Sequence, residues 1–140
     1  MNETSRVRLL VWRAGSVRCA TPIERLREVL PALPVTTLPG APYAVRGVAN
    51  IRGSLVTVVD GRRLLGEPDG SPSEATVVVQ YGARPVGMAV DDVEDLVEVG
   101  DDAIAPRGQD PALGWEVQLP EAPPVRLLDL DFLLDRLFLD

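Results

Sequence analysis

Short runs of β-branched and aliphatic residues recur along the chain, separated by glycine, proline and acidic turn residues. Val7–Trp12 and Val17–Ala20 flank Arg13-Ala14-Gly15-Ser16, which predicts a hairpin. Val45–Asp60 predicts a tighter one: apolar strands lie on either side of Asn50-Ile51-Arg52-Gly53, and Gly53 supplies the positive φ that such a turn needs. Ala75–Tyr81 turns at Gly82-Ala83-Arg84-Pro85 and returns as Val86–Val90. Val93–Val99 mixes helix formers with valines at 93, 97 and 99, and the valines favour a strand. Trp115–Leu119 and Val125–Leu128 are the last strand candidates, joined through Pro120, Pro123 and Pro124.

Other segments follow a helical period. Thr21-Pro22-Ile23-Glu24 reads as a capping box, with Thr21 at the N-cap, Pro22 at N1 and Glu24 reaching back. Ile23, Leu26, Val29 and Leu30 then share one apolar face, Glu24, Arg25, Arg27 and Glu28 cover the rest, and Pro31 ends the helix. Gly61–Leu65, after Asp60, reads as a single helical turn. The tail is a short helix capped by Asp129 or Asp131 and apolar almost all round, so it must pack into the domain or meet a partner.

Prolines 31, 34, 39 and 42 stiffen an extended loop, and Gly66–Glu74 reads as a connector at the midpoint. Val58-Val59-Asp60 precedes Leu64-Leu65 much as Leu127-Leu128-Asp129 precedes Leu133-Leu134, a faint repeat about half the chain apart. The expected organisation is one domain over 1–140, with a first lobe over 7–66, a second over 73–130 and a C-terminal helix over 131–140. The fold class is all-β, two packed five-stranded barrels with short helices.

The 140 residues, 46% of them hydrophobic, suffice for one compact domain. A net charge of −7 argues against nucleic acid as a partner. The chain has no histidine, which removes the commonest general base and the usual zinc ligand sets. Gly47 and Gly53 lie in a hairpin and open no helix, so nucleotide binding has no local support. The acidic pairs Asp91-Asp92, Glu94-Asp95 and Asp101-Asp102 lack calcium-loop spacing and read as a solvated edge. No catalytic residue, metal or cofactor is expected.

Cys19 alternates with Val17 on a strand and reads as a small core residue, with no second cysteine to pair with. The apolar run Leu9–Trp12 is cut short by Arg13, too soon for a signal segment or membrane span, so a cytoplasmic location without membrane insertion is expected. Arg62 and Arg63 read as local ion-pair partners of Asp60 and Glu67. Arg52 differs, because a guanidinium on a rigid apolar-flanked turn can present a planar fork to a partner's carboxylate or carbonyl groups.

The run Gly47-Val-Ala-Asn-Ile-Arg-Gly53 followed by Val58-Val59-Asp60 resembles the signature of CheW-like domains, the scaffolding modules of bacterial chemosensory arrays. Leu26-Arg27-Glu28-Val29, Val35-Thr36-x-Leu38-Pro39 and Val86-Gly87-x-x-Val90-Asp91-x-Val93 resemble further family segments in the same order. The resemblance implies two SH3-like barrels and a non-catalytic adaptor joining the cytoplasmic tip of a chemoreceptor to the regulatory domain of a CheA-type histidine kinase. It also implies a partner-binding site: Leu26 and Glu28 on the first helix, Gly47 close to the partner surface, and Asn50, Arg52 and Gly53 on the hairpin.

The pattern departs from the family after Ile104-Ala105-Pro106. Prolines at 106, 111, 120, 123 and 124 are poorly compatible with a regular paired strand, which points to a reduced, FrzB-like adaptor that binds receptor without kinase. A different class, a small-ligand-binding β-barrel, would require an apolar pocket with convergent polar groups between the lobes.

Overall fold

Strand β1, Arg6–Ala14, is apolar on both faces from Leu9 to Trp12 because both are buried there. In the computed structural model, which describes residues 5–139, Leu9 and Val11 enter one core with Ala20, Val99, Val117 and Val125. Leu10, Trp12 and Ala14 enter another with Val77, Val79, Met88, Leu130 and Leu134. The first core fills one sheet; the second joins it to its neighbour. Strand β6, Ala75–Tyr81, behaves likewise from the other side: Val77 and Val79 face the joining core, whereas Val78 packs with Ile51 and Val56 inside its own sheet.

The remaining strands are β2 (Val17–Pro22), β3 (Leu26–Pro31), β4 (Val45–Ile51), β5 (Ser54–Asp60), β7 (Arg84–Val90), β8 (Asp92–Gly100), β9 (Ile104–Pro106), β10 (Trp115–Leu119) and β11 (Ala122–Leu127). Helices α1 (Gly61–Leu64) and α2 (Leu130–Phe138) follow β5 and β11. One sheet has six strands in the order β8-β1-β2-β11-β10-β9, the other five in the order β3-β6-β7-β5-β4. Edge strands β8 and β9 of the larger sheet are joined by a single 3-10 turn at Asp101–Ala103, so they form one bent strand that wraps the sheet onto itself. The smaller sheet closes when the chain beyond β3 reaches β4: Thr36 and Val48 exchange backbone hydrogen bonds of 2.8 and 2.9 Å. The all-β fold class is thus observed, consistent with two SH3-like barrels.

The lobe boundaries 7–66 and 73–130 do not coincide with the sheets. The first hairpin, β1-β2, sits with the C-terminal strands, whereas β6-β7 sit with β3, β4 and β5. Each exchange uses a parallel pair, β5 with β7 and β11 with β2. The repeat noted in the sequence marks the ends of β5 and β11. Asp60 caps α1 by accepting from the Arg63 amide at 3.1 Å, and Asp129 caps α2 by accepting from the Phe132 amide at 3.0 Å. Leu130, Leu133 and Leu134 of α2 are buried in the joining core, so the tail helix packs into its own domain, and residue 140 lies outside the described residues.

The helix expected from Thr21 is not formed. Only Ile23–Arg25 makes a 3-10 turn, and Leu26–Pro31 is strand β3, paired antiparallel with β6. Thr21 is fully buried, and its Oγ1 accepts the indole N–H of buried Trp12 at 2.9 Å instead of capping a helix. Satisfying that N–H inside an apolar core outweighs a cap at a solvated helix end. The 3.6 period of Ile23, Leu26 and Leu30 yields to a period of two, in which Leu26, Glu28 and Leu30 are half-buried while Arg27, Val29 and Pro31 are exposed.

The proline-rich stretch is paired after all. β10 and β11 form an antiparallel hairpin with Pro120 and Glu121 at its turn, and Pro123 and Pro124 fall where the register shifts. A bulge tolerates the missing amide donors that a regular ladder would need.

Candidate functional site

The hairpin β4-β5 turns through Arg52 and Gly53, with φ values of 50° and 88°. Positive φ at both central positions matches the right-handed twist of the flanking strands. Gly53 adopts it freely, whereas Arg52 is a non-glycine residue in the left-handed region. Asn50 holds the turn closed, its Oδ1 accepting from the Gly53 amide at 2.7 Å.

The Arg52 guanidinium spans the barrel to Glu28 on β3. Nη1 donates to Glu28 Oε1 at 3.1 Å and Nη2 donates to Oε2, a bidentate pair. Glu28 is more sheltered than its partner, with side-chain exposures of 28% and 69%. The Arg52 hydrogen bond holds the Glu28 carboxyl below the usual carboxylate range, and Glu28 in turn raises the Arg52 pKa. A cavity of about 220 Å³ lies at this pair, lined by Ile51, Val56, Val78 and Pro85 among others. Leu55, cross-strand from Asn50, is 73% exposed.

The structure brings Glu28, Asn50, Arg52 and Gly53 together and separates the other two expected residues from them. Leu26 is half-buried and packs against the core that joins the barrels. Gly47 is buried, and a Cβ there would lie 1.9 Å from the Thr36 carbonyl oxygen, so glycine is required by the closure of the barrel. Glu28 lies on a strand and not on a helix.

The other charged groups make longer-range pairs than their spacing suggests. Arg62 pairs with Asp91 through Nε at 2.9 Å, and Arg13 reaches the same carboxylate at 3.1 Å. Asp91 is therefore buried and doubly paired rather than part of a solvated edge, and the Arg62 hydrogen bond holds its carboxyl below the usual range. Asp60 pairs with Arg46 at 2.8 Å, and Arg63 with Asp69 at 3.2 Å. No local signal marks the Arg62–Asp91 pair, whose members come together only through the parallel pairing of β5 and β7. Cys19 is buried, and burial pushes its thiol up to about 12, as for a core residue.

Where the six-stranded sheet meets α2, an apolar cleft of about 290 Å³ is lined by Pro22, Ile104, Trp115, Leu127 and Leu130. Its two charged members are already engaged: Arg25 holds Asp131 and the Gln80 carbonyl, and Asp129 caps α2. The convergent free polar groups that a ligand-binding barrel would need are not supplied here. Among the described residues no cluster suits a metal ion, and no helix is long and apolar enough to cross a membrane.

Residues 8–138 match the CheW-like domain. The chain is 35% identical over 100 residues to "Chemotaxis protein CheW" of Rhizobium meliloti (strain 1021), covering 70% of this chain and 64% of that protein. It is 34% identical over 105 residues to "Protein FrzA" of Myxococcus xanthus, covering 72% of this chain and 66% of that protein. The crystal structure of scaffolding protein TtCheW from Thermoanaerobacter tengcongensis superposes with a TM-score of 0.83 at 20% identity, over 92% of both chains.

Proposed function

Because the chain belongs to the CheW-like domain family, a non-catalytic scaffold family of chemotaxis, we propose that it couples the cytoplasmic tip of a methyl-accepting chemoreceptor to a CheA-type histidine kinase. The observation that carries this reading is the Arg52 turn. A non-glycine residue at φ 50° on an exposed hairpin carries a backbone cost, and such positions concentrate where a side chain must be aimed. Glu28 takes two of the five guanidinium N–H donors, which fixes the plane and leaves the others for a partner's carbonyl or carboxylate groups. Leu55 beside it adds exposed apolar area. Together they suit a receptor helix that presents an apolar stripe with polar flanks.

Kinase binding by the six-stranded barrel is part of the same proposal. The receptor-only alternative depended on a missing strand pair, and β9, β10 and β11 are all paired. Titration calorimetry with a receptor cytoplasmic fragment and, separately, with the kinase regulatory domain tests the reading. Saturable binding of both, neither displacing the other, is expected; failure of the receptor fragment to bind would overturn it.

A further inference from the structure

Among the described residues, eight arginines pair with carboxylates, but Arg126 on β11 does not. Its Nε is buried without a hydrogen-bond partner. Glu116, opposite it in the β10-β11 register, makes no pair with it, its Oε1 accepting from Gln118 Nε2 at 3.1 Å. Arg107 stands nearby, engaged only with the Leu113 carbonyl at 3.3 Å. Burial, and then the charge of Arg107, both work against the charged form of Arg126. These groups line a cavity of about 330 Å³ together with Ser16, Arg18 and Pro124.

We propose that this cavity binds a carboxylate, seated between the guanidinium groups of Arg107 and Arg126. Arg18 is already paired with Glu94 at 2.9 Å, so the cavity's unpaired charges are Arg107 and Arg126 against Glu116. That balance is one positive charge, which suits a singly charged carboxylate better than a phosphate dianion. Planar guanidinium groups also match carboxylate geometry. The site lies on the six-stranded barrel, so it does not depend on the role of Arg52.

The test is a nitrogen-15 NMR titration of the full chain at constant ionic strength, following the Nε–H signals of Arg107 and Arg126. The probes are acetate, a capped Gly-Glu-Gly peptide and inorganic phosphate. Saturable shifts with acetate and peptide, and weaker ones with phosphate, are expected. Arg126→Met and Arg107→Met should each weaken binding about tenfold, the loss of one charge-assisted contact. Arg107 is exposed, so its variant tests the site even if Arg126→Met fails to fold. Tighter binding of the peptide than of acetate identifies an acidic side chain of a partner protein as the source, and the reverse identifies a free carboxylic acid. Shifts that stay linear in concentration, tighter binding of phosphate than of both carboxylates, or affinities unchanged in the Arg107→Met variant would overturn the site.

Discussion

Arg52 and Arg126 are held in opposite ways. Arg52 is largely exposed yet doubly bonded to Glu28, whereas Arg126 is half-buried yet has no carboxylate partner. One is placed by a turn that tolerates positive φ, the other by a strand ladder opposite Glu116, in a cavity it shares with Arg107. Exposure alone therefore does not measure what an arginine offers a partner. A paired guanidinium is a rigid contact with a fixed plane; an unpaired one is an uncompensated positive charge that an anionic ligand can neutralise.

The comparison breaks most completely if the Arg52 turn loses its anchor. Gly47→Ala drives a methyl group into the Thr36 carbonyl, so it should cost about 3 kcal/mol of stability and release the chain beyond β3 from β4, read from the urea midpoint. Leu26→Ala should cost about 2 kcal/mol, the low end for a half-buried aliphatic, while receptor affinity per folded molecule stays unchanged in calorimetry. Arg52→Ala should do the reverse, weakening receptor affinity about thirtyfold with little change in melting temperature.

Glu28→Gln should have a smaller effect, about threefold in receptor affinity, because the guanidinium stays but loses its fixed plane. The pair also makes a pH prediction. The folded pKa of Glu28 is depressed, so its stabilising contribution is present above the ordinary carboxylate range and is lost as pH falls through the depressed value. A carboxyl NMR titration should show the Glu28 midpoint return to the ordinary range in Arg52→Ala. An unchanged midpoint would show that the pair does not persist in solution.

Much of this was legible locally. The β4-β5 hairpin, the single turn of α1, the Asp129 cap and the β8 strand all follow from residues within a few positions of one another. The segment from Thr21 to Pro31 departs from its local pattern because its outcome is set from a distance: Trp12 claims the Thr21 hydroxyl, and β6 supplies a ladder for Leu26–Pro31. The same holds for Gly47, whose need for glycine comes from Thr36 across the barrel, and for Asp91, whose partners lie 29 and 78 residues away. Glu28 and Arg52 were both expected at the site, but their mutual bidentate pair required the closure of the smaller sheet.

Arg52→Gly separates an aimed receptor contact from a part of the fold. Glycine adopts φ 50° without strain, so the turn survives while the guanidinium is removed. The melting temperature should equal or exceed that of the parent, receptor affinity should weaken about thirtyfold, and affinity for the kinase regulatory domain should stay unchanged. A receptor affinity equal to the parent's would contradict this role of Arg52 and place the receptor contact elsewhere on the molecule.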